Sequence, residues 1–94
     1  MDKETQEFYE RLRLELNSSM EWPSEYLFKF IVPTSTEKIE KVENSFNQMG
    51  AIIVTKHSKT GKYTSISINV QMNNAQEIID KYLELATIEG IISL

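Results

Sequence analysis

The chain has 94 residues, 40% hydrophobic and 26% charged, and its 10 lysines and arginines against 14 aspartates and glutamates give a formal net charge of −4. That balance belongs to one ordinary globular domain rather than a disordered segment, and a negative total argues against a broad nucleic-acid surface, which needs clustered cations. No cysteine is present, which excludes disulfides, thiolate metal centres and thiol catalysis, and is compatible with a reducing compartment.

The start of the chain, Met1-Asp2-Lys3-Glu4, is charged and shows no secretory pattern. The longest apolar run, Ala51-Ile52-Ile53-Val54, falls far short of the roughly 20 residues that a membrane span needs. The expected location is cytoplasmic, with no membrane partner.

A first helix is predicted from Lys3 to about Leu16. Thr5, Phe8, Tyr9, Leu12 and Leu16 recur on one stripe of a 3.6-residue period, and Glu7 and Arg11 are spaced to pair on the opposite side. Asn17-Ser18-Ser19 ends it, and Trp22-Pro23 forbids its continuation, because proline pushes the preceding residue out of the α region. Residues 1–19 therefore read as an amphipathic helix in front of a folded unit at 20–94. Its apolar stripe requires a cover, either the domain's own sheet or another chain.

A strand follows over Ser24 to Val32. Tyr26, Phe28, Phe30 and Val32 alternate with Leu27, Lys29 and Ile31, and Lys29 marks its own face as the less buried one. Pro33 closes this strand, and Thr34-x-x-Glu37 has the spacing of a capping box. Ile39, Val42, Phe46 and Met49 form the buried stripe of a second helix, with Gly50 placed for its left-handed cap. A second strand, Ala51 to about Ser58, leads to a hairpin turn at Thr60-Gly61 and a third strand, Lys62 to Met72. In that strand Thr64, Ile66, Ile68, Val70 and Met72 share one face, and Tyr63, Ser65, Ser67, Asn69 and Gln71 the other. Asn74-x-x-Glu77 caps a last helix with the apolar positions Ala75, Ile78, Ile79, Tyr82, Leu83, Leu85 and Ala86. Gly90 breaks it, and Ile91 to Leu94 makes a short final strand.

The order after the first helix is β-α-β-β-α-β. With right-handed crossovers this gives an α+β, ferredoxin-like two-layer sandwich, with a four-stranded antiparallel sheet whose first and third strands are central. Both helices then cover the face of Phe28, Phe30, Ile66 and Ile68. The other face, with Leu27, Lys29, Ile31, Tyr63, Ser65 and Ser67, is left open and reads as polar along the third strand.

Catalytic and cofactor signals are sparse. One histidine, His57, is the only imidazole, and no close acidic ligand pattern accompanies it, so neither a metal nor another cofactor is expected. His57 with Ser58, Ser65 or Ser67, oriented by Asp80, is the one nucleophilic combination available, and no G-x-S-x-G elbow supports it. The three glycines, Gly50, Gly61 and Gly90, form neither a dinucleotide nor a phosphate loop. An RNA platform needs several aromatics on the central strands, and only Tyr63 qualifies.

The hairpin carries the one concentrated signal. Lys56, Lys59 and Lys62 fall within residues 56–62 together with His57 and without an acid, on an otherwise acidic chain. With Ser58, Gly61, Tyr63, Ser65 and Ser67 they place positive charge, hydroxyls and backbone donors at one end of the sheet. Such a group suits an anionic ligand or an acidic partner surface. It also suits a solvated turn whose lysines keep a strand edge from aggregating.

Glu21-Trp22-Pro23, the run Ser58-Lys59-Thr60-Gly61-Lys62-Tyr63-Thr64-Ser65-Ile66-Ser67 and the register of the last helix resemble the YbeD-like proteins of bacteria over roughly residues 20–94. Their pattern there is an aromatic–proline pair followed by S-x-x-G-x-Y-x-S-V-S; this chain differs by its longer N-terminal helix and by Trp22. The resemblance implies a ferredoxin-like fold close to ACT regulatory domains, which bind amino acids or other small effectors at subunit interfaces. ACT ligand sites use a glycine after the first strand, and Pro33-Thr34-Ser35-Thr36 has none. The family's residues carry over as Ser58, Gly61, Tyr63, Ser65 and Ser67.

The functional expectation is a non-enzymatic regulatory or adaptor module binding a small anionic effector or a protein partner at residues 56–65, with self-association through the open face or the first helix. The alternatives are a structural subunit held by Phe8, Tyr9, Leu12 and Leu16, an RNA-binding module, and a small hydrolase using His57.

Overall fold

A computed structural model describes residues 2–94. Its elements in chain order are α1 (Lys3–Ser19), β1 (Ser24–Pro33), α2 (Thr36–Asn44), β2 (Ile52–His57), β3 (Tyr63–Met72), α3 (Ala75–Leu85) and β4 (Ile92–Ser93). The strands form one antiparallel sheet in the order β2-β3-β1-β4. This is the expected ferredoxin-like arrangement, with β1 and β3 in the middle.

The period-2 pattern sets the sheet's two faces. Phe28 lies opposite Ile68 and Phe30 opposite Ile66, while Lys29 meets Ser67 and Ile31 meets Ser65 on the other side. Phe28, Phe30, Val32, Ile66, Ile68, Val70 and Met72 are buried under α2 and α3. The Phe28 ring sits 5.1 Å from that of Phe46 and 5.3 Å from that of Tyr82, so residues from both crossovers meet on one strand. Aromatic contacts of this kind add to the area term that drives the layers together.

α1 begins at an Asp2 cap, whose carboxylate accepts from the Thr5 amide at 2.7 Å. That bond holds the Asp2 carboxyl below its ordinary range. The helix runs past Leu16 to Ser19, because the Ser18 and Ser19 hydroxyls fold back onto the Glu15 carbonyl instead of interrupting the turn. Arg13 pairs with Glu10 rather than Arg11 with Glu7. The helix packs on α3; Leu16 is buried, Tyr9 and Leu12 are half-buried, and Phe8 is 54% exposed. The cover its stripe requires is thus a helix of its own chain.

The cap of α2 lies one residue later than the capping-box spacing implies. Ser35, not Thr34, accepts from the Lys38 amide, because the Thr34 hydroxyl is taken by Thr64 at 2.9 Å. The helix stops at Asn44, and Phe46 and Met49 continue its apolar stripe within turns, where Gln48 and Gly50 both have positive φ. Gly50 therefore ends a run of turns rather than capping the helix. At α3 the Asn74 side chain accepts from Glu77 N as the spacing predicts, and the Glu77 carboxylate reaches back to the Asn73 amide. Ala86 is exposed, and its expected place in the core goes to Ile88, in the turn that follows.

Gly90 (φ +82) lies against Pro33. A Cβ built there would stand 2.8 Å from the proline Cγ. β4 follows this contact; Ser93 lies opposite Phe30 and Ile92 opposite Ile31, and Leu94 N donates to the Lys29 carbonyl at 2.9 Å.

Candidate functional site

β2 and β3 turn through a hairpin with its own hydrogen bonds. Ser58 N donates to the Tyr63 carbonyl at 2.8 Å and Gly61 N to the Ser58 carbonyl at 2.9 Å. The Ser58 hydroxyl oxygen accepts from Tyr63 N at 3.2 Å, and the Thr60 hydroxyl from Lys62 N at 3.4 Å. Gly61 supplies φ +74 with open space around it, so its requirement is conformational. The Ser65 hydroxyl donates to the Lys56 carbonyl across the ladder. Much of the serine–glycine–tyrosine–serine run is therefore explained by building this turn.

The turn is also anchored to the rest of the domain. Thr34 N donates to the Lys62 carbonyl at 2.9 Å. Buried Thr64 shares its hydroxyl with Thr34 at 2.9 Å and with His57 Nδ1 at 2.8 Å. The sequence treated Thr64 only as one of five core-face positions in β3; the polar chain through it depends on Thr34, thirty residues away, and left no local signal.

Five of the nine residues singled out from the sequence come together. Lys56, His57, Ser58, Tyr63 and Ser65, with Ile31 from β1, line a shallow concavity of about 180 Å³ at the end of the sheet. Lys59, Gly61 and Lys62 lie on the exposed turn outside it, and Ser67 sits farther along the sheet between Lys29 and Val54. The free groups at the concavity are mainly donors. The Ser58 oxygen accepts from the backbone and keeps its O–H to give, and the Tyr63 hydroxyl has no partner among the described residues. The ion pairs among the described residues engage Arg13, Lys41 and Lys81. Seven cations are left without a carboxylate within 4.0 Å among the described residues: Lys3 and Arg11 on α1, Lys38 on α2, and Lys29, Lys56, Lys59 and Lys62 on the open face and the hairpin.

The His57–serine–Asp80 combination is not assembled. The imidazole Nδ1 is bonded to Thr64, Ser65 is tied to Lys56, and Ser67 belongs to the open face. Asp80 accepts from Gln76 on α3 at 2.9 Å. Among the described residues no three His, Asp or Glu side chains are grouped to hold a metal ion.

The open face is less polar than the serine stripe of β3 suggests. Ile52 is 69% exposed, Val54 61%, Leu27 56% and Ile92 50%, flanking Ser65, Ser67 and Asn69. β2 supplies the unforeseen part: an unbroken apolar run gives no alternation from which to assign its faces. Glu25 is the one acid on the strands, opposite Gln71 at the far end of β1 from the hairpin.

Comparison with known proteins agrees with the resemblance carried by the hairpin. The family described as "Protein of unknown function (DUF493)" matches residues 17–94. A protein of Shewanella halifaxensis named "UPF0250 protein" is 31% identical over 75 residues, covering 77% of this chain and 85% of its own. A solution structure of protein HP0495 from Helicobacter pylori superposes with a TM-score of 0.64 at 16% identity, covering 81% of this chain and 86% of that one. A second solution structure of HP0495 gives 0.59 at 14% identity, with 78% and 87% covered. At these identities the two structures speak for the fold alone.

Proposed function

Since the chain belongs to the DUF493 family of bacterial proteins, the group that also holds the YbeD-like members, we propose that it acts as a non-enzymatic adaptor that docks an acidic protein surface on its open sheet face. The observation that carries this reading is the combination of exposed Leu27, Ile52, Val54 and Ile92 with unpaired Lys29 and Lys56 on the same face. An apolar patch rimmed by polar groups, here lysines with the single acid Glu25 at the end away from the hairpin, is the composition of a protein interface.

Size favours a protein over a small effector. The concavity at the hairpin, about 180 Å³ and shallow, is below the roughly 300–1,000 Å³ of drug-sized ligand sites and has room for a single small group such as one carboxylate. Four strands of this spacing present on the order of 500 Å² on one face, approaching the roughly 800 Å² per partner of a standard interface. In this arrangement the concavity receives one carboxylate of the partner. Lys56, the Ser58 and Tyr63 hydroxyls and, at the rim, Lys59 and Lys62 surround that charge, and the apolar side chains supply the buried area.

The test is a titration of the ¹⁵N-labelled chain with a peptide of alternating glutamate and leucine, with its glutamine analogue, and with acetate. The expected result is shifts at Lys56, Tyr63, Val54 and Leu27 with the acidic peptide, weaker ones with the analogue, and acetate effects confined to the hairpin. Lys56→Glu with Lys59→Glu should weaken the acidic peptide by at least about fivefold at low salt. Equal binding of both peptides, or an unchanged affinity in the double variant, would refute the proposal. Acetate binding as tightly as the peptide would transfer the site to a small effector.

A further inference from the structure

A second hollow lies on the helix side, away from the hairpin. α1, β1, α3 and the end of the chain enclose a groove of about 230 Å³, walled by Phe8, Tyr9, Leu12 and Leu94. At its lining the hydroxyls of Tyr26 and Tyr82 meet at 2.8 Å. Tyr82 is only 8% exposed. Phe8, Tyr9 and Leu12 lie outside residues 17–94, where the family match runs, so these walls belong to the part of the chain that the match does not cover.

Two phenols hold two hydroxyl protons, and the bond between them uses one. Whichever tyrosine donates, the other keeps an O–H with no acceptor among the described residues. Leaving a partly desolvated donor unmatched is costly, so the groove is chemically complementary to an acceptor oxygen. No cationic side chain lines it. A carboxylate there would lose water without gaining a countercharge, so a neutral acceptor fits and an anion does not. In volume the groove exceeds the ~150 Å³ cavity that suffices for a benzene ring.

We propose that this groove binds a small neutral molecule with an aromatic or compact apolar body and one carbonyl or ether oxygen, the oxygen accepting from the free hydroxyl of the Tyr26–Tyr82 pair. The rings of Phe8 and Tyr9, 5.3 Å apart and edge to face, flank the apolar body. The site is separate from the open sheet face, and its occupancy is independent of the docking function.

Acetophenone and toluene are the probes: the same ring with and without the oxygen. Titrated into the full-length chain and followed by NMR, acetophenone should shift Leu12, Tyr26, Ser93 and Leu94 and bind about fivefold more tightly than toluene, the value of one neutral hydrogen bond. In the Tyr26→Phe/Tyr82→Phe double variant that preference should vanish while toluene binding remains. Because that variant alters a buried pair, Phe8→Ala on the exposed wall is the companion: it should weaken both probes together. Shifts mapping to the open sheet face, or a preference for acetophenone that survives loss of both hydroxyls, would overturn the proposal.

Discussion

Gly90→Ala puts the attachment of the last strand to a quantitative test, with Gly61→Ala as its control. Both glycines have positive φ, +82 and +74, but an added Cβ at Gly61 meets nothing within 4 Å, whereas at Gly90 it comes 2.8 Å from Pro33 Cγ and 3.1 Å from Cδ. The left-handed conformation costs an alanine about 1–2 kcal/mol, partly offset by roughly 0.5–1 kcal/mol from the stiffer unfolded chain. Gly61→Ala should therefore destabilise by about 1 kcal/mol or less. At Gly90 the methyl also displaces a proline ring fixed at the end of β1, an overpacking term of about 1–3 kcal/mol, for a total of about 3 kcal/mol. In a domain of this size that is a fall in Tm of roughly 10 °C or more. Urea unfolding of the two variants, followed by far-UV circular dichroism, measures the difference directly. Losses equal to within ~0.5 kcal/mol would refute the reasoning, because they would show that the Pro33 contact exerts no force.

Phe28→Ala removes a fully buried ring that touches both crossovers and should cost about 3–5 kcal/mol; a loss under ~1 kcal/mol in chemical denaturation would contradict the assigned faces of the sheet. Thr64→Val keeps the shape but deletes the hydroxyl that joins Thr34 to His57. It should cost about 1–2 kcal/mol, and a change below ~0.3 kcal/mol would remove that chain from the structural account. Burial, reinforced by the Tyr26 hydrogen bond, raises the Tyr82 phenol well above its ordinary 10.0. The unfolded phenol ionises near that value while the folded one keeps its proton, so its contribution is complete below pH 10 and declines as pH rises beyond it. Urea titrations between about pH 8 and 11 should show a shallower alkaline decline for Tyr82→Phe, and parallel curves would refute the linkage.

The features legible in the sequence were those whose signal is periodic and local. Alternation about Lys29 in β1 and the serine–isoleucine repeat of β3 fixed both faces, and the register confirms them. The failures occurred where a local signal met a distant partner. Thr34 has a cap's spacing to Glu37, but Thr64 competes for its hydroxyl across the domain and wins. Phe46 and Met49 keep helical spacing beyond the end of α2, because burial under the sheet requires the positions and not the helix. α1 announced an apolar stripe without its cover, and α3 supplies it. At the candidate site, Lys56 to Ser65 could be read as a cluster from sequence proximity alone. Ile31 could join it only once the register was known, and the outward turn of Ile52 and Val54 was hidden by the evenness of their neighbours.

The distribution of charge across the two layers has a kinetic consequence. Glu37, Glu40 and Glu43 ride on α2 and Glu77, Asp80 and Glu84 on α3, outnumbering Lys38, Lys41 and Lys81 on the same helices, while Lys29, Lys56, Lys59 and Lys62 occupy the open face and the hairpin beyond it, with Glu25 the one acid on the strands. A molecule negative in total but polarised in this way has a permanent dipole moment, and a negatively charged body approaching it is repelled from one hemisphere and rotated toward the other before contact. Ionic strength would then govern how often encounters succeed far more than how long they last, a separation that stopped-flow measurements at two salt concentrations resolve directly.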